Sequence, residues 1–89
     1  MDYKQNSQIF KALAHPLRLK MTVMLMDDEC CVTDVTNALK ISQSTSSQHL
    51  SILKNAGVVS PKKYGTKTCY VVDNVTARKI INILLEKEQ

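Results

Sequence analysis

No run of apolar residues in this chain is long enough to span a bilayer. Its start, MDYKQNSQ, is polar and lacks the apolar segment of a secretory signal. These two absences point to a cytoplasmic protein without a membrane partner. Glycine and proline are scarce, with two of each, and there are no repeats, linkers or low-complexity tracts. One domain covering residues 1–89 is expected, with a single small core. The three cysteines are an odd count, which argues against a structural disulfide framework in a cytoplasmic chain. They are therefore either ordinary buried thiols or a reactive or metal-binding set.

What is present is ordinary for a globular chain: 44% apolar and 22% charged residues, with a net charge of +4. A modest basic excess suits a polyanionic partner such as nucleic acid, although unrelated proteins share it. At 89 residues the chain is too short for most enzymes with a deep, water-excluding site, and it gains from pairing with a second copy. No enzymatic activity is expected. A homodimer is.

The scarce prolines and glycines mark the breaks. Lys4 to Ala14 places Ile9, Phe10 and Leu13 on one helical face. Pro16 suits the first turn of a second helix, which runs to about Met26 with Leu17, Met21, Met24 and Leu25 at helical spacing. Asp27-Asp28-Glu29 is read as a polar turn. Thr33 or Asp34 is the expected cap of a short third helix carrying Val35, Ala38 and Leu39. Ser42 is the expected cap of a fourth, from Gln43 to about Ala56, stopped by Gly57. Val58-Val59 opens a strand, and Pro61 confines it to an edge or to its beginning. Tyr64 to Lys67 turns the chain around Gly65, and Thr68 to Val72 returns it as a second strand. Val75 to Glu86 is a last helix. Its Ile80, Ile81 and Leu84 give more apolar surface than a chain this small covers alone, which marks it as a dimer element. The order α-α-α-α-β-β-α is a mainly α fold with a β-hairpin (α+β): a helix-turn-helix followed by a hairpin wing.

The fourth helix is unusual in composition. At about 100° per residue, Ser44, Ser47, Gln48, Ser51, Lys54 and Asn55 share one arc, opposite Ser46, Leu50, Leu53, Ala56 and Gly57. A solvated face normally carries Glu and Lys, which form helices better than Ser. No acidic residue occurs between Gln43 and Asn55. Short hydroxyl and amide groups suit the major groove of DNA, where Gln and Asn read adenine and Ser bonds to bases or phosphates. The plainer alternative is a Ser-rich surface helix with no role. Lys62, Lys63 and Lys67 flank the turn of the hairpin and suit phosphate. The plainer alternative here is a solvated hairpin whose charges keep an edge strand from aggregating.

Three segments resemble the ArsR/SmtB winged helix-turn-helix repressors. FKALAHPLRLKMTVML resembles the opening of that family, ISQSTSSQHLSILKNAGVV its recognition unit, and PKKYGTKTCYVV its wing. The resemblance implies a homodimer built by the first and last helices. It implies a double-stranded DNA operator read by the fourth helix, with Gln43, Ser44, Ser47 and Gln48 at positions that touch DNA. It also implies release by a metal, metalloid or oxidant. His49, on the apolar side of the wheel, is expected to pack and hydrogen-bond rather than read bases. His15, before Pro16, is expected to cap the second helix.

ECCVTDVT departs from the arsenic-sensing pattern of the family, Glu-Leu-Cys-Val-Cys-Asp-Leu-Cys. Cys31 keeps the first thiol, Thr33 and Thr36 replace the other two, and Cys30 stands where Leu is usual. Thr is a poor ligand for a soft metal. Cys30 and Cys31 remain candidates for a thiophilic metal or metalloid ion such as arsenite, with Cys69 or a partner residue as third ligand and Cys69 expected to be distant. The alternatives to that leading reading are redox or reactive-sulfur sensing and plain packing as small apolar residues. The zinc site of the family at the last helix needs His, and DNVTARKIINILLEKEQ has none. Two other function classes are a winged-helix module that binds protein and a small thiol enzyme using Cys30-Cys31. The uncharged polar helix and basic wing argue against the first. The adjacent cysteines, which lack the two-residue spacing of redox motifs, argue against the second.

Overall fold

A computed structural model describes residues 1–27 and 30–86, and of Cys30 the backbone alone. The polar turn expected at Asp27-Asp28-Glu29 lies mostly outside the described residues. The element order is α1 (Tyr3–Leu13), α2 (Pro16–Asp27), β1 (Cys30–Cys31), α3 (Val32–Leu39), α4 (Gln43–Asn55), β2 (Ser60–Tyr64), β3 (Lys67–Val71) and α5 (Val75–Glu86). It matches the expected order with one addition, the short strand β1.

The helix boundaries follow from local chemistry. The Asp2 carboxylate accepts from the Gln5 N–H at 3.0 Å and caps α1. His15 Nδ1 accepts from the Leu17 N–H at 3.1 Å, the capping role expected of it, just ahead of Pro16. Ser42 accepts from the Thr45 N–H at 3.1 Å and starts α4. At the other end Gly57 adopts φ +82°, a conformation costly for any residue with a Cβ. The Val58 N–H then reaches the Leu53 carbonyl and the Gly57 N–H the Lys54 carbonyl, closing a Schellman turn. This turn corrects the expected strand start. Val58 has given its N–H to the helix, so pairing begins only at Ser60. Val58 and Val59 instead plug the core, at 0% and 2% exposure.

The cap of α3 also differs. Its N-cap is Cys31, whose extended backbone (φ −74°, ψ 153°) leads out of β1 with no side-chain cap, and Thr33 and Asp34 fall in the first turn. There Asp34 still complements the helix dipole. The pairing of β1 with β3 sets where the helix can start, and that pairing is long-range.

The sheet is antiparallel in the order β1-β3-β2, which leaves Pro61 on an edge strand. Cys31 pairs with Cys69 and Lys62 also pairs with Cys69, while Tyr64 pairs with Lys67 across the wing turn. The core gathers Ile9, Met21, Leu25, Val35, Leu50, Leu53, Val58, Val72 and Ile81 from both ends of the chain. Ile81 is fully buried within one copy of the chain, so it is a core residue and not the dimer contact that its helical position suggests. The apolar side chains left exposed on α1 and α5 include Phe10, Ile83 and Leu84, at 58%, 56% and 42% exposure. Asn74 caps α5, its Oδ1 accepting from the Ala77 N–H at 2.8 Å. Arg78 then fastens the helix to the rest, donating to the Val72 carbonyl at 2.7 Å and the Met26 carbonyl at 2.8 Å.

Candidate nucleic-acid interface

α4 carries its polar residues outward. Gln43, Ser44, Ser47, Gln48, Ser51, Lys54 and Asn55 are exposed, and Ser46, Leu50 and Leu53 are buried. The 3.6-residue period therefore sorts this helix as its side chains require. Ser44 sits near the cap, its hydroxyl 3.3 Å from that of Ser42. Ser46 is the exception to satisfied burial: its hydroxyl has no hydrogen-bond partner among the described residues.

His49 lies on the side of α4 that faces α2. Its Nδ1 is 3.3 Å from an Arg18 guanidinium nitrogen. A guanidinium has no acceptor, so this nitrogen must carry the lone pair and the imidazole is neutral. Burial, with smaller contributions from the neighbouring His15 and Arg18 charges, lowers its pKa from the usual 6.5. The His15 ring stands 4.8 Å away, centroid to centroid. Arg18 also donates to the Ala12 carbonyl at 2.6 Å. Composition and periodicity give no sign of Arg18 in this role, because its partners are a distant His and a backbone carbonyl.

The wing stands beside the start of α4. A polar crease of about 310 Å³ runs between them, lined by Thr33, Gln43, Ser47, Lys67, Thr68 and Tyr70 among others. Thr33, Thr68 and Tyr70 join the site without any advance signal in composition. Lys62, Lys63 and Lys67 are exposed on the two wing strands. From Val35 to Val72 the chain has five lysines and no Asp or Glu. The surface offered by α4 and the wing thus carries cations, hydroxyls and amides and no acidic side chain, with Ile52 and Tyr64 as its large exposed apolar residues.

The cysteines are arranged differently from expectation. Cys69 is not distant: Cys31 and Cys69 face each other across the β1–β3 ladder and form a disulfide. The odd cysteine count argues against a structural disulfide framework, and a single bond that leaves the third cysteine over is not such a framework. The side chain of Cys30 lies outside the described residues. Two bonded sulfurs cannot serve as thiolate ligands, and no cluster of three metal-ligating side chains occurs among the described residues. These residues therefore do not fit a soft-metal centre as they stand.

Among the described residues no helix is long and apolar enough to cross a membrane. The family model for bacterial regulatory proteins of the arsR family matches residues 15–60. The chain is 39% identical over 84 residues to the cadmium resistance transcriptional regulatory protein CadC of Listeria innocua, covering 93% of this chain and 68% of that one. The structure of reduced HlyU from Vibrio cholerae superposes with a TM-score of 0.86 and 31% identity, over 91% of this chain and 85% of that one. The homodimeric winged helix-turn-helix DNA-binding domain of Mb0332 from Mycobacterium bovis gives a TM-score of 0.87 and 25% identity, over 96% and 79%. With α3 and α4 as its helix-turn-helix and β2–β3 as its wing, this chain belongs to the arsR family of winged-helix transcriptional regulators.

Proposed function

We propose that the chain is a cytoplasmic, homodimeric repressor that binds a specific DNA operator and is released from it by a thiol-reactive effector. The observation that carries the reading is the continuous outward face of Gln43, Ser44, Ser47 and Gln48, bordered by the wing lysines and free of acidic side chains. In this reading α4 enters the major groove, where Gln48 and its neighbours meet base edges. Lys62, Lys63 and Lys67 neutralise flanking phosphates. The homodimer of Mb0332 and the exposed Phe10, Ile83 and Leu84 support pairing through α1 and α5.

Two effector chemistries compete. Cadmium resistance in the name of CadC favours a soft ion. The direct pairing of Cys31 with Cys69, and the lack of a third ligand among the described residues, favours thiol oxidation. A gel shift with DNA from immediately upstream of its own coding sequence, at graded salt and against a scrambled duplex, tests operator binding. In vitro transcription from the same fragment tests repression. Equal affinity for both duplexes removes the operator, and a rise in transcription removes the repressor.

A further inference from the structure

The Cys31–Cys69 bond closes a loop with a sequence separation of 38 residues. All of α3, α4 and β2 lie inside that loop. So do the seven side chains assigned to DNA: Gln43, Ser44, Ser47, Gln48, Lys62, Lys63 and Lys67. One covalent bond thus joins the two ends of the DNA-facing unit. The register also puts Cys31, Cys69 and Lys62 in one row across β1, β3 and β2. A lysine of the wing therefore sits directly across the ladder from a bonded sulfur's residue.

The two sulfurs are not equivalent. Cys69 is 4% exposed, while Cys31 is only partly buried. An external reagent reaches Cys31 first, and Cys69 is placed to resolve what forms there.

We propose that Cys31 and Cys69 are a reversible dithiol–disulfide switch, closed by low-molecular-weight organic disulfides, whose closed form binds DNA more weakly. This rests on the DNA-binding reading above and assigns its effector site. In the closing step the Cys31 thiolate attacks one sulfur of the reagent. A mixed disulfide forms on Cys31 and one thiolate leaves. The Cys69 thiolate then attacks Cys31 Sγ, the protein disulfide forms, and the second thiolate leaves. The two protons lost by the cysteines end on the two departing thiolates. The protein is oxidised by two electrons and the reagent is reduced to two thiols.

The direction of the effect follows from constraint. The bond ties β3 to β1 and, through the row to Lys62, ties the wing to the start of α3. Opening the bond frees the wing to bring its lysines to the phosphates beside a groove that α4 occupies. Closing the bond holds the wing, and with it Lys67 and Thr68 opposite Gln43 and Ser47, in one position.

The test uses the full-length wild-type chain, poised with reduced or oxidised glutathione, and anisotropy on two fluorescent duplexes: the upstream fragment and a random sequence. Alkylation, peptide mapping and circular dichroism accompany each point. Expected is tighter binding of the reduced form by about tenfold or more, within the usual span of coupling between sites, with unchanged circular dichroism. Cys69→Ser should keep the reduced affinity and trap a glutathione adduct on Cys31. Cys31→Ser should gain no adduct at Cys69, and Cys30→Ser should respond as wild type. Equal or weaker binding by the reduced form overturns the switch and leaves the DNA reading standing. Loss of native circular dichroism on reduction makes the bond structural and also overturns it. A mapped bond to Cys30 does the same. No binding to either duplex in either form removes the DNA reading and the switch together.

Discussion

Arg18, in the first turns of α2, donates to Nδ1 of His49 in the middle of α4 at 3.3 Å and so fixes α4 against the N-terminal half of the core. The contact needs a neutral imidazole. Protonating Nδ1 would turn an acceptor into a second donor facing a guanidinium.

A pH dependence follows. Burial first, then His15 and Arg18, lowers the folded pKa of His49 below the unfolded value near 6.5. Below the unfolded value the unfolded chain takes up a proton that the folded chain refuses. The contribution of His49 to stability is therefore complete above about pH 6.5 and is lost as the pH falls through that value towards the folded pKa. Urea denaturation from about pH 7.5 down to about pH 5.5 should show a falling midpoint. His49→Gln should flatten that part of the profile. Equal slopes in the two proteins would take His49 out of the pH response.

Much of this architecture is legible in the chain itself, where the signal is local. The bounds expected for α5, Val75 to Glu86, are those observed, because a continuous apolar period carries them. Ser42 and Gly57 bracket α4 through short-range hydrogen bonds that their residue types favour. The sorting of α4 into a buried and a polar face is likewise a matter of period. What stays hidden is long-range. Pairing of a two-residue strand with β3 has no local signature, and so the meeting of Cys31 with Cys69 escapes notice. Arg18 and Arg78 work through backbone carbonyls, which composition does not reveal. Ile81 and Leu84 are one turn apart and equally apolar, and only the packing of α5 separates a core residue from a surface one.

Gln48 is exposed on the outer face of α4 beside Ser44 and Ser47. Gln48→Ala should weaken specific operator binding by ~1–3 kcal/mol, the worth of a bidentate base contact. Its circular dichroism and oligomeric state should not change. Anisotropy titration of folded mutant protein with unaltered operator affinity would strike Gln48 from the reading set.

The wing lysines are expected to act on phosphate. Lys62→Ala or Lys67→Ala should weaken operator and random duplex alike. Removing one lysine–phosphate pair should make the slope of log K against log salt shallower by about 0.9. A weakening confined to one sequence would mean that the wing reads bases.

The Ser46 hydroxyl is buried without a partner among the described residues. Its backbone N–H already bonds to the Ser42 carbonyl at 3.0 Å, so the helix does not need the side chain. Ser46→Ala removes an unsatisfied polar group and substitutes a better helix former. The variant should be more stable by about 1 kcal/mol. A lower midpoint in urea would show that the hydroxyl has a partner in solution.

The apolar surface of α1 and α5 should close on a second copy. Phe10 and Leu84 are exposed and, with Leu13, Leu19 and Ile80, line an open groove of about 260 Å³. Burying a leucine side chain contributes about 1.5–3 kcal/mol, and a two-fold interface would count Leu84 twice. Leu84→Asp should therefore leave the fold intact, since the residue lies outside the core, but shift the protein to monomer. Ile81→Asp should instead unfold each copy, because it would put an unpaired charge in the interior. The two half-sites of a dimeric helix-turn-helix lie about 35 Å apart on DNA, so a monomer grips one where the dimer grips both. The Leu84→Asp protein should then lose tight operator binding while retaining weak contact with any duplex. Analytical ultracentrifugation beside a gel shift reads both effects. A wild-type monomer at micromolar concentration, or a variant that still binds tightly as a monomer, would refute pairing through this face.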